Sequence, residues 1–302
     1  MIYYSKNNTI PDCIIINGDS RIILPTIQEK ADLMVTSPPY ADARERHYDS
    51  IHPDEFPEWL LSFSDVFWNA LKEDGNLVLN IKDKVLHGTR NRFVWHTIEA
   101  YEKKGWFCID DYIWHKTNPM PGRWPNRLRD GWEYCFHLSK SNRPYFNPDN
   151  VRKPIGDWVN TRLRNLSEND LKRHNSENDS GFGRNISKWL GKTTVLPSNV
   201  LSLPLVGHNK GHPAVYPVDL PLFFIKLLSR EGSLIIDPFG GSGTTGVAAL
   251  SLGRRCILID TNQEYCDVAR KRISEEVKII DEEIMQLHIF EETTKYKKGK
   301  SN

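Results

Sequence analysis

Apolar residues fall into short runs and helical stripes that alternate along the chain. Cys13–Asn17 (CIIIN) and Ala31–Thr36 (ADLMVT) read as buried strands, the first feeding Gly18-Asp19 and the second Ser37-Pro38-Pro39-Tyr40. Between them, SRIILPTIQEK reads as a helical connector broken by Pro25, which lacks the N–H a helix needs. From Asp54 onward, Phe56, Trp59, Leu60, Phe63, Val66, Phe67 and Leu71 recur at spacings of three and four. This predicts one amphipathic helix, closed by a turn at Glu73-Asp74-Gly75-Asn76 and followed by a strand over Leu77–Ile81. A helix over about Arg92 to Lys104, ended by Gly105, leads into a strand from Trp106 to Trp114. The rhythm stops after Lys140 and returns with a helix over Val215–Leu228, a strand over Ser233–Ile236, a helix over Gly246–Leu252, a strand over Arg255–Ile259 and a helix from Asn262.

Alternation of this kind predicts an α/β fold, a doubly wound and mostly parallel sheet whose ligands lie beyond the carboxyl ends of the strands. It also predicts boundaries: a principal domain over 1–140 and 196–275, a polar inserted region over 141–195, and a C-terminal helix and basic tail over 276–302. Composition agrees with one large core, since 39% of the 302 residues are hydrophobic and 11% aromatic. A formal charge of +1 means that any nucleic-acid footprint must be local. The five cysteines are scattered and form no CxxC pair, which suits reduced thiols and argues against a metal site. No basic segment followed by an apolar stretch opens the chain, and no run nears the ~20 apolar residues that span a bilayer, so a soluble, cytoplasmic, nucleoid-associated protein is expected.

Two loops carry the candidate chemistry. The strand over Ser233–Ile236 runs into Asp237-Pro238-Phe239-Gly240-Gly241-Ser242-Gly243-Thr244-Thr245-Gly246, where Gly241, Gly243 and Gly246 fit GxGxxG. Nineteen residues past Gly241, at the end of the next strand, Asp260 is placed to accept hydrogen bonds from ribose hydroxyls. Strand, glycine turn, helix, strand and acid make a nucleoside-binding unit, and two cofactor classes remain open: a dinucleotide, or S-adenosylmethionine. Asp237 favours the second, because a carboxylate would repel a pyrophosphate yet suit a cationic ligand, directly or through water.

In Ser37-Pro38-Pro39-Tyr40 two prolines remove donors, stiffen the turn and leave carbonyls free to accept. Such a loop suits an exocyclic amine: the Ser37 hydroxyl and the Pro38 carbonyl accept its two hydrogens and aim its lone pair. Tyr40 offers a flat ring on which a base stacks once it leaves a duplex. No cysteine follows a proline, which argues against methylation at a ring carbon.

These residues resemble the amino-methylating DNA methyltransferases, in the permuted class whose catalytic motif precedes the cofactor motif. The resemblance implies a catalytic role for Ser37, Pro38, Pro39 and Tyr40, with Ser37 in the form typical of N4-cytosine enzymes; N6-adenine enzymes more often carry Asp there. It implies S-adenosylmethionine as cofactor, held by Asp19, Thr36, Asp237, Pro238, Phe239, Gly241, Gly243, Thr244, Thr245 and Asp260, with His212, Pro213 and Ala214 covering its methionine part. Trp114-His115-Lys116-Thr117-Asn118-Pro119 is similar to the segment on the far side of the target base. Asp83 and His115 are both candidates to take the released proton, with Lys116 beside the base.

Between Arg143 and Lys192 ten basic residues face six acidic ones, interleaved with Asn and aromatic residues. This suits a target-recognition region in which Arg152, Lys153, Arg162, Arg164, Arg184 and Lys188 meet DNA, with Arg123 and Arg127 in a second basic loop. The expected partners are double-stranded DNA with a short recognition sequence and a cognate restriction endonuclease, and the protein itself is expected to be a monomer or homodimer. An oxidoreductase would leave the Ser-Pro-Pro-Tyr loop unexplained, and a non-catalytic binding module would leave its complete tetrapeptide unused.

Overall fold

A computed structural model describes residues 2–4, 13–41, 51–156, 164, 192–206 and 216–277. In chain order the strands are β1 (Ile2–Tyr4), β2 (Cys13–Asn17), β3 (Ala31–Thr36), β4 (Leu71–Ile81), β5 (Lys84–Leu86), β6 (Thr89–Asn91) and β7 (Phe107–Lys116). They continue with β8 (Trp132–Ser139), β9 (Lys153–Pro154), β10 (Thr194–Val195), β11 (Val200–Leu203), β12 (Leu234–Asp237) and β13 (Arg255–Asp260). Nine of them form one sheet in the order β1-β2-β13-β12-β3-β4-β8-β7-β11. Pairing is parallel except where β1 meets β2 and where β8 lies between β4 and β7, so seven strands share one direction. The apolar runs of β3, β12 and β13 are buried almost throughout, as expected for strands covered on both faces.

The chain divides into a larger unit, Met1–Asn147 with Asn199–Asn302, and a smaller one, Pro148–Ser198. Residues before Pro148 that the polar composition assigned to the insertion are tied into the larger unit. Tyr145 N–H donates to the Asp74 carbonyl at 3.0 Å, Asn147 N–H donates to Leu227 at 2.8 Å, and the Asn76 amide donates to the Tyr145 carbonyl at 3.0 Å. In the smaller unit, β9 and β10 pair antiparallel, and Arg152 bridges Asp149 and the Thr194 hydroxyl, each at 2.9 Å.

Three local expectations are corrected. The helix expected from Asp54 to Leu71 is two helices, Phe56–Leu61 and Ser64–Ala70. Ser62 Oγ donates back to the Trp59 carbonyl at 2.6 Å and the backbone tightens there, an alternative bond that serine offers against helix continuation. The turn expected at Glu73–Asn76 is an excursion inside β4: Leu71 pairs with Ala31 and Asn76 with Leu33, so residues 72–75 stand opposite Asp32 alone. The helix expected over Val215–Leu228 begins at Asp219.

Strands β1, β8 and β11 and the hairpin β5–β6 were not anticipated. The hairpin turns on His87 and Gly88, with φ of 48° and 78°, the left-handed pair that a two-residue turn favours. An aromatic core from the two short helices and the helix Phe93–Lys103 packs on the sheet. It reaches the loop after β12 through Phe239, whose ring lies 5.0 Å from Phe63 and 5.7 Å from Trp59. Among the described residues no helix is long and apolar enough to cross a membrane.

Candidate active site

Because seven strands point the same way, Asn17, Thr36, Ile81, Lys116, Asp237 and Asp260 all lie along one edge of the sheet. Strand β8 runs against them and so begins at that edge, bringing Glu133 beside residues that end other strands. Two buried carboxylates organise this edge, Asp237 on the side of the glycine turn and Glu133 on the side of the Ser-Pro-Pro-Tyr loop.

Asp237 is 1% exposed. Its Oδ1 accepts from Thr36 Oγ1 at 2.6 Å and from Phe239 N–H at 3.1 Å; its Oδ2 accepts from Thr245 Oγ1 at 2.6 Å and from the Tyr216 phenol at 3.2 Å. Burial pushes its carboxyl up to about 6, against the lowering effect of these donors. Of the expectation that this acid meets a cationic ligand directly or through water, the direct contact is corrected: both oxygens are taken up in fastening β3, β12, the helix Thr244–Ser251 and Tyr216 together.

The loop that Asp237 anchors turns on Gly241 and Gly243, with φ of 50° and 83°. Gly243 is further restricted by packing, since a Cβ there would meet Ala269 Cβ at 3.0 Å. Pro238 offers its carbonyl to Ser20 Oγ, and Thr244 Oγ1 accepts from Arg272 at 3.0 Å. Gly241 N–H donates to Asp260 Oδ2 at 2.8 Å and Asn262 N–H to Oδ1 at 2.8 Å. Each oxygen of Asp260 thus takes one donor and retains a lone pair, on a half-buried side chain that suits a ribose diol. Asp19 caps the helix Ser20–Ile23 by accepting from Arg21 N–H at 2.8 Å and pairs with the Arg21 guanidinium at 2.6 Å, which holds its carboxyl below the usual range.

On the other side, the Tyr40 phenol donates to Glu133 Oε2 at 2.8 Å, with the Ser37 side chain beside it. Burial and the Glu133 charge raise the phenol well above its ordinary value, so it stays protonated. Glu133 is 3% exposed, and its other oxygen pairs with Lys116, itself buried. Asn80 donates toward the same Glu133 Oε2 at 3.4 Å. Ser37 thus stands at the head of a loop whose tyrosine is fixed to a buried Glu133–Lys116 pair.

The three candidates beside the base separate. Lys116 is closed off with Glu133, and its ammonium lies 5.1 Å from the Trp114 ring. His115, on the opposite face of β7, meets Ser202 Oγ at 3.1 Å on an exposed surface. Asp83 is buried and paired with Arg90, while burial raises its carboxyl. Arg127 stacks 4.5 Å from the Trp124 ring and pairs with Asp130 at 3.0 Å, and Arg123 is exposed. Lys153 and Arg164 are exposed as well. His212, Pro213, Ala214, Arg162, Arg184 and Lys188 lie outside the described residues.

The fold is that of the S-adenosylmethionine-dependent methyltransferases, with the Ser-Pro-Pro-Tyr loop preceding the glycine turn in the chain. The family described as "DNA methylase", of the N6/N4 type, matches residues 31–271, and the chain belongs to that family. It is 30% identical to the type II methyltransferase M.PvuII of Proteus hauseri over 273 residues, which cover 82% of this chain and 80% of that protein. It is 27% identical to the type II methyltransferase M.SmaI of Serratia marcescens over 301 residues, 88% of this chain and 92% of that one. A solved PvuII DNA methyltransferase (cytosine-N4-specific) superposes with a TM-score of 0.66 at 24% identity, over 91% of this chain and 94% of the other.

Proposed function

We propose that this protein transfers a methyl group from S-adenosylmethionine to N4 of cytosine at a specific site in double-stranded DNA. It acts in the cytoplasm as the modification half of a restriction-modification pair, as a monomer or homodimer. The observation that carries the reading is the buried Tyr40–Glu133–Lys116 network, which holds the tyrosine of the Ser-Pro-Pro-Tyr loop at the same sheet edge as the glycine turn. The cytosine-N4 specificity of the PvuII enzyme and the serine at the head of the tetrapeptide support cytosine over adenine.

Asp260 and the Gly241–Gly243 turn would hold the ribose side of S-adenosylmethionine, which supplies an electrophilic methyl group on sulfur. Ser37 Oγ and the Pro38 carbonyl accept the two hydrogens of the cytosine amine, fixing its nitrogen and the direction of its lone pair. The Tyr40 ring, half-buried with its hydroxyl tied down by Glu133, offers a face on which the turned-out base stacks. The unit Pro148–Ser198, with Arg152 and Lys153 among its basic residues, is the region that reads the sequence.

Incubation with methyl-labelled S-adenosylmethionine and plasmid DNA tests this. Label is expected in DNA, and Ser37→Ala is expected to slow transfer by about 100-fold, the scale for loss of one positioned polar group. The same variant should leave cofactor binding by calorimetry unchanged. Label confined to protein, or equal loss of binding and transfer, overturns the reading.

A further inference from the structure

We infer that the loop joining β7 to β8 enters the DNA base stack and that Leu128 fills the space vacated by the target cytosine. This rests on the methyltransferase reading above. Within nine residues the loop exposes three large apolar side chains, Met120 at 74%, Trp124 at 50% and Leu128 at 89%. Single exposed apolar residues are ordinary on a protein surface, but a group on one short loop marks an interaction site.

The loop is braced. Asp130 pairs with Arg127 at 3.0 Å and with Arg90 of the β5–β6 hairpin at 2.7 Å, and Asn126 donates to the Gly88 carbonyl at the hairpin turn at 3.0 Å. Arg127 also donates to the carbonyl of Leu128 itself at 3.2 Å. Leu128 is thus held out on a fixed backbone, which an inserting side chain requires if it is to unstack bases without first ordering itself.

Charge identifies the occupant. Arg123 and Arg129 are exposed and form no ion pair among the described residues, so the apolar group is flanked by cations suited to phosphates. A two-fold contact with a second copy would instead bring two copies of this basic patch together. Position agrees: Leu128 stands five residues before Glu133, the partner of Tyr40, a reach of at most about 18 Å of extended chain. Lys116 N–H donates to the Gly131 carbonyl at 2.7 Å and closes the base of the loop beside that same network.

The test uses two short duplexes carrying the sequence at which the protein methylates plasmid DNA. In one the target cytosine faces guanine; in the other it faces an abasic site, where leaving the stack is easier. Leu128→Ala should slow single-turnover transfer about tenfold on the paired duplex and less than about twofold on the abasic one, because filling the vacated space matters only where base opening is costly. Leu128→Met should retain the rate on both, and neither change should alter the melting temperature. Equal slowing on both duplexes, an unchanged rate on the paired duplex, or loss of a dimer in sedimentation together with equal slowing would overturn the inference. If the unsubstituted protein methylates neither plasmid DNA nor any duplex, the methyltransferase reading falls and the wedge with it.

Discussion

Asp237 and Glu133 are buried to the same degree at the same edge of one sheet, yet they are satisfied in opposite ways. Asp237 takes four donors, all neutral: two threonine hydroxyls or their like from Thr36 and Thr245, the Tyr216 phenol and the Phe239 N–H. Glu133 shares its charge with a buried cation, Lys116, and takes one strong neutral donor, Tyr40. The first arrangement ties strand, loop and helix together and lets the carboxyl titrate close to neutrality. The second sets an ion pair behind the Ser-Pro-Pro-Tyr loop, the loop we propose meets the substrate. A glycine turn tied down by neutral donors thus shares its sheet edge with a Ser-Pro-Pro-Tyr loop backed by an ion pair.

The largest expected effect is from splitting that pair. Lys116→Met leaves Glu133 buried without its cation and should cost about 3–5 kcal/mol in urea unfolding. The double change Lys116→Met with Glu133→Gln should recover most of this. Next is Asp237→Asn, whose amide offers one acceptor where four donors converge; a loss of about 2 kcal/mol is expected, with weaker S-adenosylmethionine binding by calorimetry.

A pH series sharpens the contrast. With the Asp237 carboxyl raised to about 6, the folded protein takes up a proton before the unfolded chain does as pH falls. The contribution of Asp237 therefore grows more favourable toward acid, and the stability of the native protein relative to Asp237→Asn should rise by about 1 kcal/mol from pH 7 to pH 5. A flat difference across that range would place the carboxyl outside the buried network. Smallest is Tyr40→Phe, which keeps the ring and removes one hydrogen bond to Glu133, at about 1 kcal/mol of stability. Its turnover should fall more than its Michaelis constant for DNA rises.

The parallel strands and the glycine turn were legible because continuous apolar runs and GxGxxG are local signals. Glu133 was not, although an acid inside the otherwise buried run Trp132–Ser139 was its one available sign. Its meaning depends on β8 running against its neighbours, a reversal that no local pattern announces. Tyr216 follows the His-Pro-Ala segment, but only tertiary placement sets its phenol on Asp237. Asp237 reads as a ligand-facing acid because it precedes the glycine turn; its hydrogen-bond partners Thr36 and Thr245 come from another strand and the following helix. His115 and Lys116 were paired as candidates although the two-residue period of a strand sends adjacent side chains to opposite faces.

The central claim, transfer to a cytosine amine, is tested most directly by digesting DNA methylated by the purified protein and identifying the modified nucleoside by mass spectrometry. N4-methylcytosine is the predicted product; N6-methyladenine, or a label found at C5 of cytosine, would contradict it.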